Sequence, residues 1–112
     1  MRQQKTRASI DVDAINRAAL AALPAILRRL LPDGRAVGGE YLARNPRRGD
    51  RSLGSFSINL KSARWADFAT GDKGGDPVSL VAYVEGVSQV DAARLLARML
   101  GVDAEGKASR RG

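Results

Sequence analysis

Apolar positions along the chain change rhythm three times, and each change marks an element. Ile15, Ala18, Leu20, Leu23, Ile26, Leu27, Leu30 and Leu31 recur at a roughly helical period. Asp13 is placed to cap this segment, and Pro24 either kinks one helix or opens a second in its first turn. Pro32-Asp33-Gly34 then ends the helical region with turn chemistry. After Gly38-Gly39 a short strand is expected over Glu40 to Arg44. In Ser55 to Leu60 the period becomes two: Phe56, Ile58 and Leu60 alternate with Ser55, Ser57 and Asn59, which predicts a half-buried strand with one small polar face. Lys61-Ser62 supplies a turn into a second strand, Ala63 to Phe68, and so a hairpin.

The helical rhythm returns at Asp76-Pro77, a cap followed by proline in the first helical position, and continues through Val78, Leu80, Val81 and Val84 to a stop at Gly86. Ser88 with Asp91 resembles a capping box and opens a last helix through Leu95, Leu96, Met99 and Leu100 to Gly101. The order predicts an α+β fold: N-terminal helices, a small antiparallel sheet, then two C-terminal helices. Residues 1–10 and 103–112 are polar, basic and aperiodic and read as flexible tails flanking a single domain over 11–102. There are no internal repeats.

Composition narrows the chemistry. Apolar residues make up 44% of the 112 positions, mainly Ala, Leu and Val, while aromatic residues are only 4%, so each ring is individually informative. Nineteen Lys and Arg stand against 12 acidic residues, a formal charge of +7, which points to an anionic partner and most often to nucleic acid. The chain has no Cys and no His, which removes disulfides, thiolate nucleophiles and imidazole bases. Asp67, Asp72 and Asp76 do not form a set spaced for two-metal catalysis, and no Ser has a base at a supporting spacing. The chain is therefore not expected to be an enzyme or to carry a cofactor. No window approaches a membrane span and the first residues lack a secretory pattern, so a cytoplasmic protein without a membrane partner is expected.

Several short runs carry a resemblance. Gly54-Ser55-Phe56-Ser57-Ile58-Asn59, then Lys73-Gly74-Gly75-Asp76, then two helices ending at Leu100-Gly101-Val102, resemble the zinc-binding ribbon domain at the front of bacterial DNA primases. That family holds zinc with paired cysteines and a histidine. Here Phe68 and Gly71 stand where its second cysteine pair would be, and the first pair falls near Asn45-Pro46 and Arg48-Gly49. None of these residues supplies a thiolate or imidazole, and Asp67 and Asp72 alone do not make a tetrahedral structural site, so no metal is expected. Arg44-Asn45-Pro46, Gly54-Ser55-Phe56, Trp65-Ala66-Asp67-Phe68, Ala69-Thr70-Gly71-Asp72 and Gly74-Gly75-Asp76 together are closer to a zinc-less variant of this domain from mobile-element and prophage primase or helicase proteins. The resemblance implies an accessory role in DNA replication, with a primase core, helicase or polymerase as protein partner.

Candidate contacts follow from charge and from the family's ribbon face. Arg44, Arg47, Arg48 and Arg51 form the densest basic cluster, and a hairpin can bring Lys61, Arg64 and Lys73 near it. Guanidinium groups fork onto phosphates and stack on bases, so these cations suit a single-strand DNA track. Asn45, Ser57 and Asn59 are candidate hydrogen-bonding partners. Trp65 is either a stacking platform or, as a lone Trp on a hairpin, part of the core. Phe56 and Phe68 are expected in the core, Tyr41 is open to either reading, and Tyr83 is expected in the core with a wet hydroxyl. The Gly71–Asp76 run reads as a turn and cap rather than a phosphate loop, with Lys73 a candidate phosphate contact. The alternative is a protein docking module with no DNA contact, presenting Leu95, Met99 and Val102 on the last helix.

Overall fold

The computed structural model describes residues 10–46 and 55–102; the expected tails fall outside these, Ile10 apart. Helix α1 (Val12–Ala21) starts at Asp11, whose side chain accepts the Ala14 N–H at 2.9 Å. The cap is thus Asp11 and not Asp13, which sits in the first turn near the positive end of the helix dipole. Pro24 occupies the first turn of a separate helix α2 (Leu23–Leu30), where its missing N–H has no intrahelical partner to lose.

Five strands follow among the described residues: β1 (Arg35–Val37), β2 (Glu40–Ala43), β3 (Phe56–Asn59), β4 (Trp65–Asp67) and β5 (Lys73–Gly74). They form one antiparallel sheet in chain order, with Tyr41 opposite Ile58, Ile58 opposite Trp65, and Ala66 opposite Lys73. The sheet is wider than the three strands expected, gaining β1 and β5 at its edges. Helices α3 (Pro77–Glu85) and α4 (Gln89–Leu100) close the fold, each ending at a glycine in the left-handed region, Gly86 at φ 70° and Gly101 at φ 72°. The α+β class with helices at both ends of the chain is as expected.

Strand alternation sends Tyr41, Ala43, Phe56, Ile58 and Trp65 to one face, where they are buried against Leu23, Leu27 and Leu31 near α2 and Leu80 of α3. A second apolar cluster lies between the helices and contains Ile15, Ala19, Ile26, Val78, Val81, Ala92, Ala93, Leu96 and Ala97. Helices α2 and α3 contribute to both clusters, so they form the middle layer between the sheet and α1 with α4. Among the described residues, neither cluster places a helix residue against the opposite face of the sheet.

Two details correct the expected hairpin. Its connection is longer than Lys61-Ser62: Asn59 Oδ1 accepts the N–H groups of Lys61 and Ser62 at 2.9 Å each, and Ala63 takes φ 66° before β4 begins. Phe68 is not in the core but 75% exposed. Trp65 and Phe68 are three residues apart along an extended segment, an odd spacing that puts them on opposite faces.

Candidate nucleic-acid interface

The face of the sheet opposite the core is built from the residues that alternate with the core set. Glu40, Ser57, Asn59, Ala66 and Lys73 belong to it, together with Arg64 and Phe68 flanking β4. With Ser62 and the edges of Trp65 and Gly74 they line a groove of about 320 Å³. Its floor is low, because Ser57 and Ala66 leave little side-chain height over β3 and β4. Arg64, Phe68 and Lys73 are exposed. Arg35 is exposed on the outer strand β1, opposite Leu42.

Among the described residues Glu40 is the one acidic residue lining this groove. Ser57 Oγ donates to its Oε1 at 2.6 Å and Asn59 Nδ2 donates to its Oε2 at 3.1 Å, so each carboxylate oxygen is fixed by a neighbour on β3. Asn59 stands directly opposite Glu40 in the β2–β3 register. Among the described residues Glu40 makes no ion pair, although Arg64 and Lys73 line the same groove. The carboxylate is oriented by neutral donors while the cations stay available at the rim.

The other expected site residues divide. Lys61 is exposed in the turn after β3 but does not line the groove. Arg44 lies on a different surface, paired with Asp33 at 3.8 Å beside a separate cavity of about 350 Å³ lined by Leu30, Pro32, Asp33 and Pro46 among others. Arg47, Arg48 and Arg51 lie outside the described residues.

Trp65 is a core residue, 6% exposed. Its ring lies edge-on to Phe56 at 5.9 Å and 4.6 Å from the Tyr83 ring, and its Nε1 donates to Ser79 Oγ at 2.9 Å. Both the ring and the indole donor are therefore engaged inside the protein, and the ring exposed beside the groove is Phe68 instead. Ser57 and Asn59 do face the groove, but their polar atoms are committed to Glu40 and, for Asn59, to the turn.

Asn45 also departs from expectation. Its side chain is fully buried, donating from Nδ2 to Asp67 Oδ2 at 2.6 Å and to the Tyr83 hydroxyl at 2.8 Å. Asp67 Oδ1 accepts the Ala69 N–H at 2.8 Å, and the Tyr83 hydroxyl donates to Asp72 Oδ2 at 2.8 Å. Burial raises the Tyr83 pKa above its ordinary value; the Asn45 hydrogen bond opposes this and Asp72 reinforces it. Tyr41 is buried too, its hydroxyl donating to the Leu31 carbonyl at 2.8 Å, and burial likewise raises its pKa. This polar corner joins the end of β2, the end of β4, the loop into β5 and helix α3. Among the described residues no three His, Cys, Asp or Glu side chains cluster to hold a metal ion, and no helix is long and apolar enough to cross a membrane.

Glu40 and Phe68 were not singled out by sequence as site residues. Parity would have found Phe68, since placing Trp65 inside requires Ala66 and Phe68 to point outward. Glu40 becomes visible only once β2 is paired with β3. No family model matches the chain, and no curated protein matches it.

Proposed function

We propose that this chain is a nucleic-acid-binding accessory domain that holds single-stranded DNA for a primase or helicase module. The observation that carries the reading is the sheet face opposite the core, where Arg64, Lys73 and the exposed Phe68 border a shallow groove with a floor of small residues. A single strand needs cations spaced along its backbone and a flat ring for a base, and an aromatic platform contributes about 1–3 kcal/mol per stacked base. The formal charge of +7 adds a long-range attraction for any polyanion. The resemblance of the Arg44–Asp76 runs to the zinc-less primase ribbon domain supports the replication setting.

The test is a titration of labelled single-stranded oligonucleotide at several salt concentrations. Binding should weaken steeply with salt, and removing one phosphate-binding cation, by Arg64→Ala or by Lys73→Ala, should reduce the log–log slope by about 0.7. Absence of binding at low salt would end this reading.

One observation favours docking to protein instead. Leu95 and Met99 of α4 line a shallow recess of about 270 Å³ flanked by the exposed Arg29 and Arg98. Such a surface suits an apolar segment with acidic neighbours, and binding there would depend on Leu95 and Met99 rather than on the sheet face.

A further inference from the structure

The position of Glu40 is at odds with a groove that only tracks phosphates. A carboxylate there repels the backbone of any strand, yet Ser57 and Asn59 hold it fixed, and among the described residues no cation pairs with it. Each of its oxygens accepts one donor from β3 and retains capacity for another. The group is therefore a fixed pair of acceptors, half-buried, in a groove whose cations and exposed ring lie around it.

A strand bound on this face would keep its phosphates with Arg64 and Lys73, stack a base on Phe68, and turn a base edge toward Glu40. The four bases differ in what they offer a carboxylate. Guanine presents two adjacent donors on its Watson–Crick edge, N1–H and the N2 amino group. Adenine and cytosine present one amino group beside a bare ring nitrogen whose lone pair opposes the second oxygen. Thymine presents a single N–H between two carbonyls. Only guanine meets both oxygens with hydrogen.

We propose that Glu40 reads guanine on a single strand bound across the sheet face, so that the groove is a base-selective site rather than a neutral track. This rests on the nucleic-acid reading above and gives it a substrate preference. Ser57 and Asn59 act as positioning residues through their hydrogen bonds to the carboxylate.

The experiment uses the full chain and short labelled oligothymidylate strands with one central position occupied by dG, dA, dC, dT or deoxyinosine, followed by fluorescence anisotropy at low salt. The dG strand should bind about tenfold more tightly than the dT strand, in the range of one bidentate base contact. Deoxyinosine, which lacks the N2 amino group, should lose most of that advantage. Glu40→Gln replaces one acceptor by a donor and removes a negative charge from the groove, so it should abolish the dG preference and raise affinity for the all-dT strand. Equal binding of all five strands to the unaltered protein would overturn the guanine assignment and leave the phosphate-binding reading standing. A dG preference that survives in folded Glu40→Gln would overturn the role of Glu40. Failure of every strand to bind would overturn both readings. If Glu40→Gln does not fold, the comparison of dG with deoxyinosine on the unaltered protein still decides.

Discussion

The Asn45 amide donates to the Asp67 carboxyl group at 2.6 Å with neither side chain exposed; Asn45 follows β2 and Asp67 ends β4, two strands that are not neighbours in the sheet. The bond therefore ties the segment just after β2 to the end of β4 across the start of β3. Buried polar groups cost most when one partner is removed and the other is left behind. Asn45→Ala should destabilise the fold by about 1–3 kcal/mol or somewhat more, because it strips a donor from both Asp67 and Tyr83. Urea denaturation of the variant checks this. An unchanged midpoint would mean that the corner contributes nothing net.

Gly74 is required by what lies above it. A methyl group at this position would collide with the Trp65 indole nitrogen and the Ser79 hydroxyl, the two ends of the bond that docks β4 onto α3. Ser79 also completes the reciprocal cap with Asp76, accepting and donating within the first turn of α3. Gly74→Ala should therefore cost about 1–3 kcal/mol by overpacking and shift the Trp65 emission maximum in the folded state. Thermal melts and fluorescence spectra provide the two readouts.

Stability should fall at alkaline pH. Tyr83 and Tyr41 both have pKa values raised above the ordinary 10.0, chiefly by burial. The folded state then holds these protons more tightly than the unfolded chain. Their stabilising effect is fully present below the unfolded value and is lost as pH rises through the folded one, so their contribution to the slope of stability against pH is negative above about pH 10. Tyr83→Phe should flatten that part of the alkaline loss, while removing a hydroxyl that serves Asn45 and Asp72. Denaturant midpoints measured on both sides of pH 10 would show whether the slope changes.

Phe68 and Trp65 should behave oppositely. Phe68 is 75% exposed and bounds the groove, so Phe68→Ala should leave the melting temperature nearly unchanged while weakening single-strand binding by about 1–3 kcal/mol. Trp65 lies in the sheet-side core, so Trp65→Ala should cost about 3–5 kcal/mol of stability. Calorimetry and anisotropy on the same two variants separate the roles.

Helices were the most legible part of the chain, because their signals are local. Asp76-Pro77, Gly86, Ser88 and Gly101 each act within a turn of their own position, and all four mark helix ends where expected. The cap of α1 was misplaced by two residues because two aspartates compete there and only the backbone geometry at Asp11 selects one. Strand β3 was legible from alternation over Phe56–Asn59. Strands β1 and β5 were not: three and two residues are too few to establish a period, and pairing with β2 and β4 is what makes them strands.

The candidate site was legible in charge but not in geometry. Arg64 and Lys73 do share a groove, yet Asn45 is withdrawn into the interior by partners 22 and 38 residues away in sequence. A polar side chain next to a basic cluster gives no local sign that such distant partners exist. Glu40 was passed over for the converse reason, since an isolated acid in a basic chain attracts no notice until two donors on the adjacent strand are seen to hold it.

Helix α3 touches every region that makes this sheet possible. Leu80 enters the sheet-side cluster, Val78 and Val81 enter the interhelical one, Ser79 holds the Trp65 indole and Tyr83 closes the Asn45 corner. Loosening it would expose both apolar clusters and release two strand ends together. The groove face of the sheet and the helical layer should consequently melt in one cooperative transition, and the groove would owe its rigidity to a helix on the far side of the sheet.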